Sequence, residues 1–345
     1  MQPLQFIVRV YNVGFGDCFL LRFQYEQAPR HVLIDFGGLG APESLLLRIA
    51  HDIKRQCGGK LDAVVATHPH SDHINGFAGL AGSVIASCRP EAVVQPWTLR
   101  PGAPPDALEF FRSGNRSALD NLAKMGRQSH YVRHLSASGL ETVLPGVTTT
   151  VLGPPSLKQN EAIRQQIRRH PDFWHIRPGS GKSELPPHAR WLAGRLGSMA
   201  ARESLELFSI LDNAVNNSSV ILLFEAGARK LLFPGDAQIE SWAHTLAQPA
   251  LCRLLAGVDL YKVGHHGSLN GTPKSLWRLF SNRSANPAPH RLVTLLSTEA
   301  GKHGDARRGT EVPRRKLVDE LASQSQLINT EDFQGKLFQD VELTL

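Results

Sequence analysis

Apolar and polar residues alternate through positions 6–23, with breaks at Gly14 and Gly16, which predicts two strands joined by a tight turn. A third strand is predicted over 31–35, closed by Gly37 and Gly38. Apolar positions at helical spacing follow over 42–55. A short apolar strand over 61–67 then runs straight into a cluster of histidines. Helical spacing returns over 76–86, a strand is expected at 92–95, helices within 107–125, and a strand at 147–152. Regular alternation resumes with strands at 219–225 and 230–233. Helices are predicted over 239–247 and 249–255, the second with Pro249 at its tolerant first position. A strand over 260–263 ends on a second histidine cluster, and a strand at 291–297, a helix at 314–323 and closing strands within 327–345 complete the chain. Strands recur in both halves with helices between and outside them. The class is therefore α/β, as a four-layer αββα sandwich of two face-to-face sheets with helices on both outer surfaces.

Residues 154–213 break this pattern. They carry Arg164, Arg168, Arg169, Arg177, Lys182, Arg190, Arg195 and Arg202, with Phe173, Trp174 and Trp191 among them. The stretch reads as a helical and irregular insertion in a single domain spanning 1–345. Gly179, Gly181, Lys182 and Ser183 approach a phosphate-loop pattern but lack the first glycine at its required distance and a following apolar helix.

Composition narrows the setting. Of 345 residues, 41% are hydrophobic and 20% charged, the range of globular chains. No apolar run approaches the roughly 20 residues of a membrane span, so no membrane association is expected. The first residues do not read as a signal peptide, and Cys18, Cys57, Cys88 and Cys252 are too dispersed for a disulfide framework. Together these lead to the expectation of a cytoplasmic protein. The net charge of +7 favours an acidic partner, either nucleic acid or a phosphorylated small molecule. Arginines interleaved with aromatics suit phosphate contact and base stacking.

The sharpest chemistry lies in Thr67-His68-Pro69-His70-Ser71-Asp72-His73. Four potential ligands, His68, His70, Asp72 and His73, fall within six residues directly after a strand. Imidazole suits zinc and similar metals, and the carboxylate accepts a harder ion. Such a density of ligands predicts a metal site.

His-x-His-x-Asp-His after an apolar strand resembles the signature of the metallo-β-lactamase superfamily. The resemblance implies further roles, in chain order. Asp35 would orient the ligand loop from below. Asp236, after Leu231-Leu232-Phe233-Pro234-Gly235, would bridge two metals. In Tyr261-Lys262-Val263-Gly264-His265-His266-Gly267-Ser268, one histidine would complete the second metal site. His265, first off the strand, is preferred, which leaves His266 to face substrate or donate a proton. Val13-Gly14-Phe15-Gly16-Asp17, Asn216-Asn217-Ser218-Ser219 and His265-His266-Gly267-Ser268 resemble the hydrolase domain of competence DNA-uptake channel proteins and its free-standing soluble relatives. Phe15 replaces that branch's usual glutamine.

A third isolated histidine for the first metal, common in the superfamily, has no well-placed counterpart. Asn216 and Asn217 occupy the region where it would fall, so Asn217 or a water is a candidate ligand and the metal count is one or two. The resemblance implies a metal-dependent hydrolase of the phosphodiesterase or nuclease type, using a metal-bound hydroxide and two divalent ions, zinc or manganese. Asp72, His266 and Asp35 are the candidate catalytic groups, and Asn217, Lys262, Ser268 and His303 the candidate substrate contacts. A hydrolase of a lactam, lactone or thioester is the alternative, as is a partner-dependent subunit of a larger assembly with a conditional metal site.

Overall fold

The computed structural model describes residues 2–101, 115–156, 159 and 212–345. One sheet contains β1 (Gln5–Tyr11), β2 (Cys18–Gln24), β3 (Arg30–Phe36), β4 (Ala63–Val65), β5 (Ala92–Pro96), β6 (Gln128–Val132) and β13 (Phe338–Thr344). The other contains β7 (Thr148–Gly153), β8 (Ile221–Ala226), β9 (Arg229–Phe233), β10 (Leu260–Lys262), β11 (Val293–Leu296) and β12 (Gln326–Asn329). Their orders are β13-β1-β2-β3-β4-β5-β6 and β12-β11-β10-β9-β8-β7.

Side-chain alternation explains the layering. Successive side chains of a strand point to opposite faces, so a strand covered on both sides is apolar throughout. On β8, Leu222 and Phe224 enter the core between the sheets while Ile221 and Leu223 face outward. Phe19, Phe23, Val32 and Ile34 meet them from the opposite sheet. Outside the first sheet, Leu33, Val64 and Val93 are covered by Ile49 and Ile53 of the helix Glu43–Gln56, Ala81 and Ile85 of Gly79–Ala86, and Leu122 of Arg116–Met125. Outside the second, Leu223, Leu232 and Tyr261 pack against Trp242, Leu255, Leu276 and Leu321. The expected αββα sandwich is what the chain forms. No helix among the described residues is long and apolar enough to cross a membrane.

The topology also places the site. β3 to β6 run parallel, as do β9 to β12. Ligand sites collect beyond the carboxyl ends of parallel strands, where the connecting loops leave the sheet. The loops after β3, β4, β9 and β10 all emerge at one edge of the sandwich. The loop after β4 is tied across the sheets to the segment before β8 by Val220 N donating to Thr67 O at 2.9 Å.

Local differences from the sequence reading have physical causes. The link from β1 to β2 is the loop 12–17, not a tight turn, with Gly14 at φ 78° and Gly16 at φ 154°. The helix expected at 76–86 is a 3-10 turn at Asn75–Phe77 followed by a helix over Gly79–Ala86, because Gly79 turns the chain at φ 56°, and a short helix over Ser71–Ile74 precedes them. β6 escaped notice because it is an edge strand, with only Val132 of Gln-Ser-His-Tyr-Val fully buried. The expected insertion lies almost wholly outside the described residues, as do positions 107–114.

Phe233 sits between the sheets, its ring centroid 5.6 Å from Phe19 and 6.2 Å from Phe224. Phe233→Ala is expected to cost about 3–5 kcal/mol, read as a lower guanidinium denaturation midpoint. An unchanged midpoint would contradict this packing.

Candidate metal centre

The centre is built on close backbone contact. Gly16 lies so near Gly37 and Asp72 that a Cβ there would stand 2.3 Å from Gly37 O and 2.6 Å from Asp72 O. Only glycine permits this approach, and it brings the loop after β1 against the metal-ligand loop. Asp17 N then donates to Asp72 O at 3.0 Å. At the other side, His265 (φ 49°), His266 (φ 50°) and Gly267 (φ 80°) form three consecutive left-handed residues. Non-glycine residues in that region store roughly 1–3 kcal/mol each and persist where the surroundings over-determine them. The turn aims the two rings to different sides, their centroids 6.4 Å apart.

Hydrogen bonds fix the ring nitrogens. Asp35 Oδ1 accepts from Thr67 N at 2.7 Å, and Asp35 Oδ2 accepts from Thr67 Oγ1 at 2.7 Å and from His73 Nδ1 at 2.8 Å. A carboxylate only accepts, so His73 carries its proton on Nδ1 and presents Nε2 as an acceptor. Likewise His266 Nδ1 lies 2.9 Å from Ser297 O and must donate there, which leaves its Nε2 bare in the neutral ring. Thr67 gives its hydroxyl proton to Asp35, so it accepts from His68 Nδ1 at 3.0 Å, and His68 Nε2 is bare as well.

These acceptors point at one another. His73 Nε2 and His266 Nε2 are 3.2 Å apart. Asp236 Oδ2 is 3.1 Å from His73 Nε2, 3.3 Å from His266 Nε2 and 3.9 Å from His68 Nε2. Asp72 Oδ2 lies 3.2 Å from His266 Nε2. Asp72, His73, Asp236 and His266 thus bring one ligand atom each within 4.8 Å of the others. Facing lone pairs repel unless a positive charge lies between them, so the donor set fits a divalent cation. The ionisation behaviour carries the same message. Burial opposes charge on His266, yet Asp236 and Asp17 lift it to about 10. Burial likewise opposes charge on His73, and Asp236, Asp35 and Asp17 still raise it well above the ordinary range. Burial would raise Asp236, but His266, His73 and Lys262 hold it well below.

Beside this group, His68 Nε2 lies 3.1 Å from His70 Nδ1. Burial, with the neighbouring imidazoles, keeps both rings neutral, His70 falling to about 4. Beneath the centre, Lys262 is 1% exposed. It forms an ion pair with Asp17 and donates to Gly235 O at 3.1 Å and Asp236 Oδ1 at 3.3 Å.

Several expected roles change. His266, not His265, joins Asp72, His73 and Asp236. His265 Nδ1 lies 2.8 Å from Ser268 Oγ, and its Nε2 faces Asn216 Nδ2 at 3.5 Å. The left-handed turn, which reverses the order in which the two rings reach the centre, is the reason. Asn217 is 1% exposed, and its Oδ1 accepts from Gln238 N and Ser241 N at the start of the helix Ile239–Leu246, so it holds that helix and does not face the cluster. Lys262 lies behind Asp236 and is buried from substrate. Ser268 orients His265. His303 stacks on Phe15 at 5.4 Å, and Phe15 in turn lies 4.5 Å from His266. Asp17, Ser297 and Asp212 (Oδ1 3.4 Å from His70 Nε2) also belong to the centre. Of these, Asp17 had a visible signal in the Gly-Phe-Gly-Asp run, and Asp212 had none.

The metallo-beta-lactamase superfamily model matches residues 11–138, the stretch that carries Asp17, Asp35 and the 68–73 loop. No curated protein matches the chain. Among solved structures, it is similar to the metallo-beta-lactamase fold protein YhfI from Bacillus subtilis, at 12% identity over 98% of this chain and 100% of that one, with a TM-score of 0.41. It is also similar to zinc-bound PqqB from Methylobacterium extorquens, at 15% identity over 72% of this chain and 59% of that one, with a TM-score of 0.31. A third is CmlA, a diiron β-hydroxylase from Streptomyces venezuelae, at 13% identity over 99% of this chain and 55% of that one, with a TM-score of 0.39.

Lys262→Met would remove the ammonium paired with the buried carboxylate of Asp17, leaving only the more distant ring nitrogens of His73 at 3.6 Å and His266 at 3.7 Å. The expected loss is about 3–5 kcal/mol, measured by chemical denaturation at neutral pH. A variant as stable as the parent would show that the ion pair does not hold the base of the centre.

Proposed function

We propose that this chain, which has the metallo-beta-lactamase superfamily fold, is a metal-dependent phosphodiesterase acting on nucleic acid or a phosphorylated small molecule. The observation that carries the reading is the convergence of Asp72, His73, Asp236 and His266 as bare acceptors within 4.8 Å. Imidazole with carboxylate suits zinc, and the oxygen content also admits manganese. The reading takes two divalent ions, with Asp236 Oδ2 facing both histidine pairs. When bound, such ions supply Lewis acidity and lower the pKa of water toward neutrality.

The chain's own groups do the rest. Asp35 and Ser297 hold the rings of His73 and His266 in one tautomer, so that no reorganisation is needed during reaction. Asp72, at 15% the most exposed of the four, meets the mouth and accepts a hydrogen bond from the attacking water. His303, half-buried on Phe15, sets an imidazole beyond His266, where it can meet a phosphoryl oxygen or give a proton to the departing one. The oxygen of water forms the new bond to phosphorus as its proton passes to Asp72, the bond from phosphorus to the ester oxygen breaks, and the ester oxygen leaves with the proton from His303. The net charge of +7 and the resemblance of Val13-Gly14-Phe15-Gly16-Asp17 and His265-His266-Gly267-Ser268 to a nuclease-associated branch support a phosphodiester substrate. One domain over 1–345, with the arginines and aromatics in the sequence of 154–213 as further candidates for contact with a polyanion, belongs to the same reading.

The test is hydrolysis of bis-(p-nitrophenyl) phosphate by protein loaded with zinc or manganese. Turnover should fall at least about a hundredfold in Asp72→Ala and His73→Ala. No turnover with either metal, in protein that demonstrably binds it, would move the assignment to a lactam, lactone or thioester hydrolase or to a subunit awaiting a partner.

A further inference from the structure

His70 has two possible neutral forms, and they have opposite consequences. With its proton on Nδ1 it donates to His68 Nε2 at 3.1 Å, and both rings are spent on each other. With its proton on Nε2, His70 Nδ1 and His68 Nε2 become a second pair of facing acceptors, beside Asp236 Oδ2 at 3.9 Å from His68 Nε2. The choice rests on what lies at His70 Nε2.

A carboxylate lies there. Asp212 Oδ1 is 3.4 Å from His70 Nε2, an electrostatic contact at ion-pair distance that is not aligned as a hydrogen bond. Its other oxygen faces Asn216 Nδ2 at 3.4 Å, and the same amide faces His265 Nε2 at 3.5 Å. His265 Nδ1 faces Ser268 Oγ at 2.8 Å and, less closely, the Gln238 amide at 3.4 Å. Ser268 Oγ donates to Asn270 Oδ1 at 3.0 Å, so in the tautomer set by the shorter contact it accepts from His265 Nδ1, and His265 Nε2 is then an acceptor. Both protons of the Asn216 amide are thereby directed, one to Asp212 and one to His265, while Asn216 Oδ1 is buried without a partner. Asn216 and His265 steer Asp212 toward His70 from the very segment in which a third histidine is missing.

We propose that Asp212 is a positioning residue for His70: it accepts the Nε2 proton and so makes His70 Nδ1 and His68 Nε2 the donors of the first cation, as Asp35 does from the other sheet for His73. The inference rests on the reading of the centre as a cation site. It assigns the imidazole turned out by the 265–266 turn to the support of Asp212, and it explains how a first cation is held without a third histidine.

The experiment counts zinc per chain by native mass spectrometry and measures each affinity by chelator competition in the parent, Asp212→Ala and Asp212→Asn. Nitrogen-15 spectra of labelled histidine in the zinc-loaded parent report the protonated nitrogen of His70. The parent should hold two ions with His70 protonated on Nε2. Asp212→Ala should keep one affinity and weaken the other about 10–100-fold. Asp212→Asn, whose amide oxygen still accepts, should fall between them. Parental affinity for both ions in Asp212→Ala, or a His70 proton on Nδ1, would overturn the assignment of Asp212 alone. A parent that binds no divalent ion would overturn the cation reading and this inference with it.

Discussion

One carboxylate oxygen joins the two halves of this fold. Asp236 Oδ2 leaves the loop after β9 in the second sheet and meets His68 and His73, which leave the loop after β4 in the first. A third imidazole, His266, arrives from beyond β10. Neither sheet alone holds the centre, so the face-to-face packing of Phe19, Phe224 and Phe233 between them also sets the separation of the ligands. A buried anion is tolerated only where positive charge or hydrogen bonds compensate it. Lys262 from below and the imidazoles from above meet that requirement.

The rings are in turn governed from outside. Asp35, itself at φ 54°, spends both oxygens on Thr67 and His73, and Thr67 passes the constraint to His68. Ser297 O does the same for His266. Each ligand nitrogen is thus decided by an atom that is not a ligand. Loss of such an outer partner is expected to be felt at the metal before it is felt in the fold.

The fold was legible because both sheets are covered on both faces. Strands such as Ile221–Ala226 are apolar without interruption, and the helices between them keep their period. The 68–73 cluster was legible because its ligands are contiguous. What sequence spacing did not reveal was direction. His265 precedes His266, yet two left-handed residues turn His266 inward and His265 toward Asn216. Lys262 and Asn217 have the chemistry of substrate contacts, but burial commits one to Asp17 and Asp236 and the other to the start of a helix. Asp212 carried no local motif, since its contact with His70 joins residues 142 apart in the chain (212 − 70).

The central proposal, that the imidazoles and carboxylates around Asp236 would hold two divalent cations, is tested most directly by X-ray absorption on the zinc- or manganese-loaded protein. The account predicts nitrogen and oxygen neighbours only, with a metal–metal vector at about 3.5–4 Å. A coordination shell containing sulfur, or a fully loaded protein with no metal–metal vector, would contradict it.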